Sequence, residues 1–110
     1  MIRGVLGHCT VTDLGRAEEW YSRLFDREPD ARPMPGLLEW RLGSGFGVQV
    51  WSEPDRAGRC SIVLDETDLD AAAARLTAAG IDKAGPEAGG GGRILRILDP
   101  DGNRVVFTGA

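Results

Sequence analysis

Three observations predict an α+β fold built from two copies of one strand–helix–strands unit. A short pattern occurs twice: a strand-like run from Val5 to Val11 leads into Asp13-Leu14 and a helical stretch, and a run from Cys60 to Leu64 leads into Asp68-Leu69 and a second one. Each copy then passes through Gly- and Pro-rich punctuation into further apolar runs with strand character. The second copy closes on Asp99-Pro100-Asp101-Gly102-Asn103, a composition suited to a tight turn. A repeat of roughly fifty residues makes two units here, too few for a solenoid.

The elements follow in order. Strand one is expected over residues 3–11. Asp13 is placed to cap a helix through Phe25, with Leu14, Ala17, Tyr21, Leu24 and Phe25 at helical spacing. Pro29, Pro33 and Pro35-Gly36 argue against regular structure between this helix and the hairpin of residues 37–42 and 46–51. Residues 52–59 are polar and join the halves. A strand over 60–64 precedes a helix that Asp68 caps and Gly80 stops after Ala79. Ile81 is expected to open a short strand ending before Pro86. The run Gly89-Gly90-Gly91-Gly92 reads as a flexible loop, since no helix start follows it to make a phosphate cradle. Strands over 93–98 and 104–108 flank the Asp-Pro-Asp-Gly turn.

Composition narrows the function classes. A chain of 110 residues supports one domain with one core, its two modules expected over 1–52 and 60–110. A net charge of −4 argues against a nucleic-acid partner, which demands a basic face. No apolar run reaches membrane-spanning length and the N-terminus lacks a signal-peptide layout, so neither a membrane partner nor export is expected. With only Cys9 and Cys60, a chain of this size needs no disulfide framework, and a reduced, cytoplasmic protein is the default. The two cysteines occupy similar places in the two copies and read as small buried hydrophobes. Serine-hydrolase elbows, His-x-x-x-His, Cys-x-x-Cys and Walker loops are absent, and turn chemistry accounts for Asp99 and Asp101.

Asp13-Leu14 with Trp20-Tyr21 in one half, and Asp99-Pro100-Asp101-Gly102-Asn103 in the other, closely resemble the vicinal oxygen chelate superfamily. Its members include glyoxalases, extradiol dioxygenases and bleomycin-type antibiotic-resistance proteins, and the resemblance covers nearly the whole chain. It implies two βαβββ-type modules whose mixed sheet curls into a cup, with helices on the convex side, a ligand or metal inside, and a homodimer. In metal-using members a divalent ion is held by His, Glu or Gln from the opening and closing strands of each module. The family's spacing puts those positions at Leu6, Gln49, Ser61 and Val106. Leu6 and Val106 have no donor atom and Ser61 is a poor ligand, whereas a first-row divalent site needs three or four N, O or S donors. No metal and no other cofactor is therefore expected; a divalent ion at a displaced site is the alternative.

Strand alternation assigns the side chains that face the cup. Val5, Cys9 and Val11 share the face expected beneath a helix, leaving Leu6, His8 and Thr10 inward. In the hairpin Leu38, Trp40, Leu42, Phe46, Val48 and Val50 make one continuous apolar face, with Glu39, Arg41, Gln49 and Trp51 opposite. Ile62, Leu64, Val105 and Phe107 are core in the second half, so Ser61, Val63, Arg104, Val106 and Thr108 look inward. The parity of strand 93–98 is left open by its two arginines. The candidate ligand-binding set is His8, Glu39, Arg41, Gln49, Trp51 and Ser61. His8, the only histidine, reads either as an acid–base group or substitute metal ligand beside Glu39 and Gln49, or as a hydrogen-bonding imidazole of the cavity wall. Glu39 and Arg41 are a solvated edge or, if buried, a pair. Trp51 is an aromatic wall or a rim contact; Trp20 and Trp40 read as packing. The expected function is metal-independent binding of a small organic molecule, as in the antibiotic-sequestering branch. A lyase, isomerase or oxygenase using His8 or a displaced metal is the enzymatic alternative, and a vestigial cavity the third.

Overall fold

Both helices begin at their Asp-Leu pairs. The Asp13 carboxylate accepts from the Arg16 N–H at 2.9 Å and Asp68 from the Ala71 N–H at 3.0 Å, each satisfying an amide that has no partner within its helix. The computed structural model describes residues 1–89 and 91–110. In chain order these form β1 (Val5–Val11), α1 (Leu14–Phe25), β2 (Ala31–Met34), β3 (Leu37–Gly43) and β4 (Phe46–Ser52). A single 3₁₀ turn, Pro54–Arg56, leads to β5 (Ser61–Asp65), α2 (Leu69–Ala78), β6 (Ala84–Gly89), β7 (Gly92–Leu98) and β8 (Arg104–Gly109). Among these residues no helix is long and apolar enough to cross a membrane.

The strands make two four-stranded mixed sheets, ordered β1-β4-β3-β2 and β5-β8-β7-β6. In each, the strand before the helix pairs in parallel with the last strand of its half, and the other pairs are antiparallel. The predicted α+β class and the repeated topology are therefore present, and neither sheet closes. One face of each sheet is covered. Ala17, Tyr21 and Leu24 of α1 join Cys9, Val11, Trp40, Val48 and Val50, while Leu69 and Leu76 of α2 join Ile62, Leu95, Val105 and Phe107, in one continuous cluster. Trp40 is fully buried, its Nε1 donating to the Arg27 carbonyl at 2.9 Å. Trp20 packs edge-to-face on Tyr21.

Several expectations need correction. Residues 31–34 do form a strand, and β6 runs through Pro86 instead of ending before it, with Ile81 outside it. Both are edge strands, and both register shifts fall at the proline, between Ala31 and Met34 and between Ala84 and Glu87, so no ladder bond is demanded of the missing N–H. Val5 is 72% exposed, not core: Cys9 and Val11 occupy the covered end of β1. Thr10 is buried where an open position was expected. Of the glycine run, Gly89 and Gly92 end and begin strands and pair with each other; Gly90 lies outside the described residues. Cys60 precedes β5 instead of opening it.

Thr10 is buried because the halves meet there. It lies on the free edge of its sheet, where backbone groups need partners. Its N–H donates to Cys60 Sγ at 3.2 Å and its carbonyl accepts from Asn103 Nδ2 at 2.8 Å. Asn103 also accepts from the Cys60 N–H (2.9 Å) and donates to Asp99 Oδ2 (2.7 Å), which in turn accepts from the Tyr21 hydroxyl at 2.7 Å. The Asp101 carboxylate accepts from the Thr12 N–H and hydroxyl. The Asp-Pro-Asp-Gly-Asn segment is thus a clasp between halves as well as a turn. Gly7 sits at the same seam, where a Cβ would come within 3.2 Å of Ile62 Cγ2, so a larger residue would push the Ile62 side chain aside.

Burial pushes the Cys9 thiol from an ordinary 9.0 up to about 11, and it raises the Tyr21 hydroxyl as well. The folded chain then keeps protons that the unfolded chain releases. The Cys9 contribution is fully present below pH 9.0 and drains away between 9.0 and about 11, with a slope of up to about 1.4 kcal/mol per pH unit. Urea midpoints across that window should fall more steeply in the wild type than in Cys9→Ala; equal slopes would refute the assignment.

Candidate functional site

The uncovered face of the first sheet carries three cross-strand rows set by register. Leu6, Gly47 and Arg41 lie opposite one another on β1, β4 and β3; His8, Gln49 and Glu39 form the next row; Thr10, Trp51 and Leu37 form the third. The sheet therefore brings His8, Gln49, Glu39 and Arg41 together, puts Trp51 one row further along, and leaves Ser61 on the other sheet opposite Arg104.

Glu39 is the hub. It is only 8% exposed, and both its oxygens are taken: Gln49 Nε2 donates to Oε1 and Arg41 Nε to Oε2, each at 2.8 Å. The Gln49 amide and then the Arg41 guanidinium hold its carboxyl below the ordinary range. The pairing expected for a buried Glu39 is present, while Arg41 keeps 64% of its side chain exposed and free for other contacts. His8 is exposed at the end of the row. Trp51 is half-buried and donates from Nε1 to Glu53 at 3.1 Å, which fixes its ring beside Gly36. A cavity of about 680 Å³ lies against Leu6, Glu39, Arg41 and Phe46; it does not extend to His8, Gln49, Trp51 or Ser61.

The second sheet settles the parity left open at 93–98. Leu95 and Ile97 are core, so Ile94, Arg96 and Leu98 join the uncovered face, opposite Thr108, Val106 and Arg104. Arg96 Nε bonds Glu87 on β6 at 2.6 Å, a carboxylate–arginine pair analogous to Glu39–Arg41. Neither residue was among the candidates. The turn at residues 99–103 offered the signal, since counting back through its antiparallel register puts Arg96 beside Val106.

The inherited metal positions do not fit an ion. Leu6 and Val106 offer no side-chain donor, which leaves Gln49 and Ser61, fewer than the three or four donors a first-row divalent ion takes. Among the described residues no group of three or more His, Cys, Asp or Glu is placed to hold a metal. What this face can do is present a carboxylate paired with a largely exposed guanidinium, an imidazole and, one row away, an indole to an organic molecule.

Residues 5–107 match the model of the Glyoxalase/Bleomycin resistance protein/Dioxygenase superfamily. The chain belongs to that superfamily. Its structure is similar to a glyoxalase/bleomycin resistance protein from Catenulispora acidiphila DSM 44928, with a TM-score of 0.90 and 29% identity over 98% of each chain. It is also similar to TnmS3, an antibiotic binding protein from Streptomyces sp. CB03234 (TM-score 0.83, 24% identity, covering 99% of this chain and 96% of that one). A bleomycin-binding protein solved in complex with bleomycin gives a TM-score of 0.80 at 19% identity, over 96% and 97% of the two chains. The last two likenesses bear on the fold alone. No curated protein matches the sequence.

Proposed function

We propose that this superfamily member binds a small organic molecule, of the kind sequestered by bleomycin-type resistance proteins, without a metal and without turnover. The observation that carries this reading is the pairing of Glu39: Gln49 and Arg41 each donate to one of its oxygens, so the uncovered face presents an ordered set of hydrogen-bonding groups to an organic ligand. His8, Glu39, Arg41 and Gln49 orient the ligand's polar groups, Trp51 stacks on a planar part, and Ser61 adds a contact from the second half. A favourable aromatic stack contributes ~0.5–1.5 kcal/mol beyond burial, and apolar contact supplies the rest. Neighbours of this fold described as an antibiotic binding protein and a bleomycin-binding protein support the class of ligand.

The two modules, 1–52 and 60–110, act in this reading as one domain, and a second copy completes the site. Leu6 (46% exposed), Val63 (64%) and Leu98 (63%) put apolar surface on the uncovered faces, which a homodimer would bury; a sedimentation mass of one 11.8 kDa chain would contradict it. Two free cysteines accord with a reducing cytoplasm.

Titration with metal-free bleomycin in the presence of a chelator tests the function. Tryptophan emission should change saturably, and Trp51→Phe should abolish the change, because Trp20 and Trp40 belong to the helix-covered side. An unresponsive wild type would overturn the reading. So would turnover of a glyoxalase- or dioxygenase-type substrate that collapses in His8→Ala, which would establish the enzymatic alternative.

A further inference from the structure

The cavity of about 680 Å³ lies at the end of the first sheet where β1 and β4 begin and β3 finishes. Its size is within the ~300–1,000 Å³ usual for small-molecule sites. Leu6, Glu39 and Arg41 reach it from the uncovered face, and Val5 and Phe46 from strand positions of the opposite parity.

The unspent polar side chains of its lining are donors. Glu39 already accepts one bond at each oxygen, from Gln49 Nε2 and from Arg41 Nε. Arg41 spends only Nε in this way, so its two Nη groups have no partner among the described residues. Asp30, which accepts from the Arg41 N–H at 2.7 Å, is itself paired with Arg27. Arg3 also lines the cavity; it is exposed and has no ion pair among the described residues. Two guanidiniums thus meet one carboxylate, in a chain whose net charge is −4. That local excess of positive charge favours an anion.

Backbone packing keeps Arg3 at this rim. The Val5 N–H donates to the Gly45 carbonyl at 2.8 Å, and a Cβ on Gly4 would lie 2.3 Å from that same oxygen. Glycine at position 4 therefore lets the chain run against the β3–β4 turn, with Arg3 beside it.

We propose that this cavity is an oxyanion subsite, taking the carboxylate or phosphate end of an organic ligand whose apolar body lies against Leu6 and Phe46. The Nη groups of Arg41, anchored through Nε by Glu39, meet two oxygens of the anion, and Arg3 adds a second charge. The subsite extends the ligand face proposed above, and so rests on that reading.

The test is an amide-resonance NMR titration of the full chain with benzoate, phenylphosphonate (standing in for a phosphate), benzyl alcohol and benzylamine. At least one anion should give saturable shifts centred on residues 3–6 and 41–46, at roughly millimolar affinity for ligands this small. The tighter of the two names the group. The alcohol and the amine, which keep the ring, should bind roughly tenfold more weakly. Arg3→Gln and Arg41→Gln alter largely exposed side chains, and each should weaken the anion roughly three- to tenfold. Shifts that are absent, unsaturable, reproduced by chloride at the same concentration, matched by benzyl alcohol or unchanged in both variants would overturn the subsite. Bleomycin binding is read separately through Trp51 emission, so failure of the ligand face and failure of the subsite are distinguishable.

Discussion

Asn103→Ala is expected to destabilise the protein by roughly 2–4 kcal/mol, more than any change on its surface. The side chain is fully buried and makes three hydrogen bonds: from the Cys60 N–H, to the Thr10 carbonyl and to Asp99. Thr10 retains a longer bond from the Gly58 N–H, and Asp99 retains Tyr21, but the Cys60 N–H loses the acceptor that Asn103 provides. A part-buried donor stripped of its acceptor costs up to about 1–3 kcal/mol, before the other two bonds are counted. The loss should appear as a lower urea midpoint with an unchanged slope, since the same surface is exposed on unfolding. A shift below about 1 kcal/mol would mean the clasp at the seam contributes little.

Glu39→Ala should act mainly on binding. Arg41 is largely exposed and regains water when its partner goes, so the ion pair contributes little and the fold should lose only about 1–2 kcal/mol. Gln49 and Arg41, however, are held in place by the two Glu39 oxygens. Without them both side chains regain rotamers that the ligand must freeze, and affinity for bleomycin should drop roughly 10–100-fold. The pH dependence has a definite sign. Because Glu39 is held below its ordinary 4.5, its contribution is present above that value and lost only as pH falls further. Wild-type binding should therefore persist as ordinary glutamates titrate. Affinity in Glu39→Ala equal to wild type by calorimetry would remove Glu39 from the site.

What could be read from the chain divides by the range of the interactions. Asp13 and Asp68 cap helices through amides three residues on, so local spacing sufficed. The Glu39–Gln49 pairing was legible because a short hairpin loop fixes register. Pro33 and Pro86 misled because a proline excludes only the interior of a sheet, and nothing local marks β2 and β6 as edges. Val5 misled because alternation gives a side, not the reach of the helix that covers it. Asp99 and Asn103 read as turn residues; their partners Tyr21 and Thr10 lie 78 and 93 residues away, beyond any pattern of spacing.

The central claim is that an organic ligand binds to the His8–Gln49–Glu39 row with no metal taking part. Calorimetric titration of metal-free bleomycin, run on chelator-treated protein and again on protein soaked in Mn, Fe, Co, Ni or Zn salts and desalted, measures it most directly. Saturable binding of equal affinity in every preparation, with sub-stoichiometric metal, is the predicted result. One tightly held ion per site, with binding that appears only when it is present, would contradict the account.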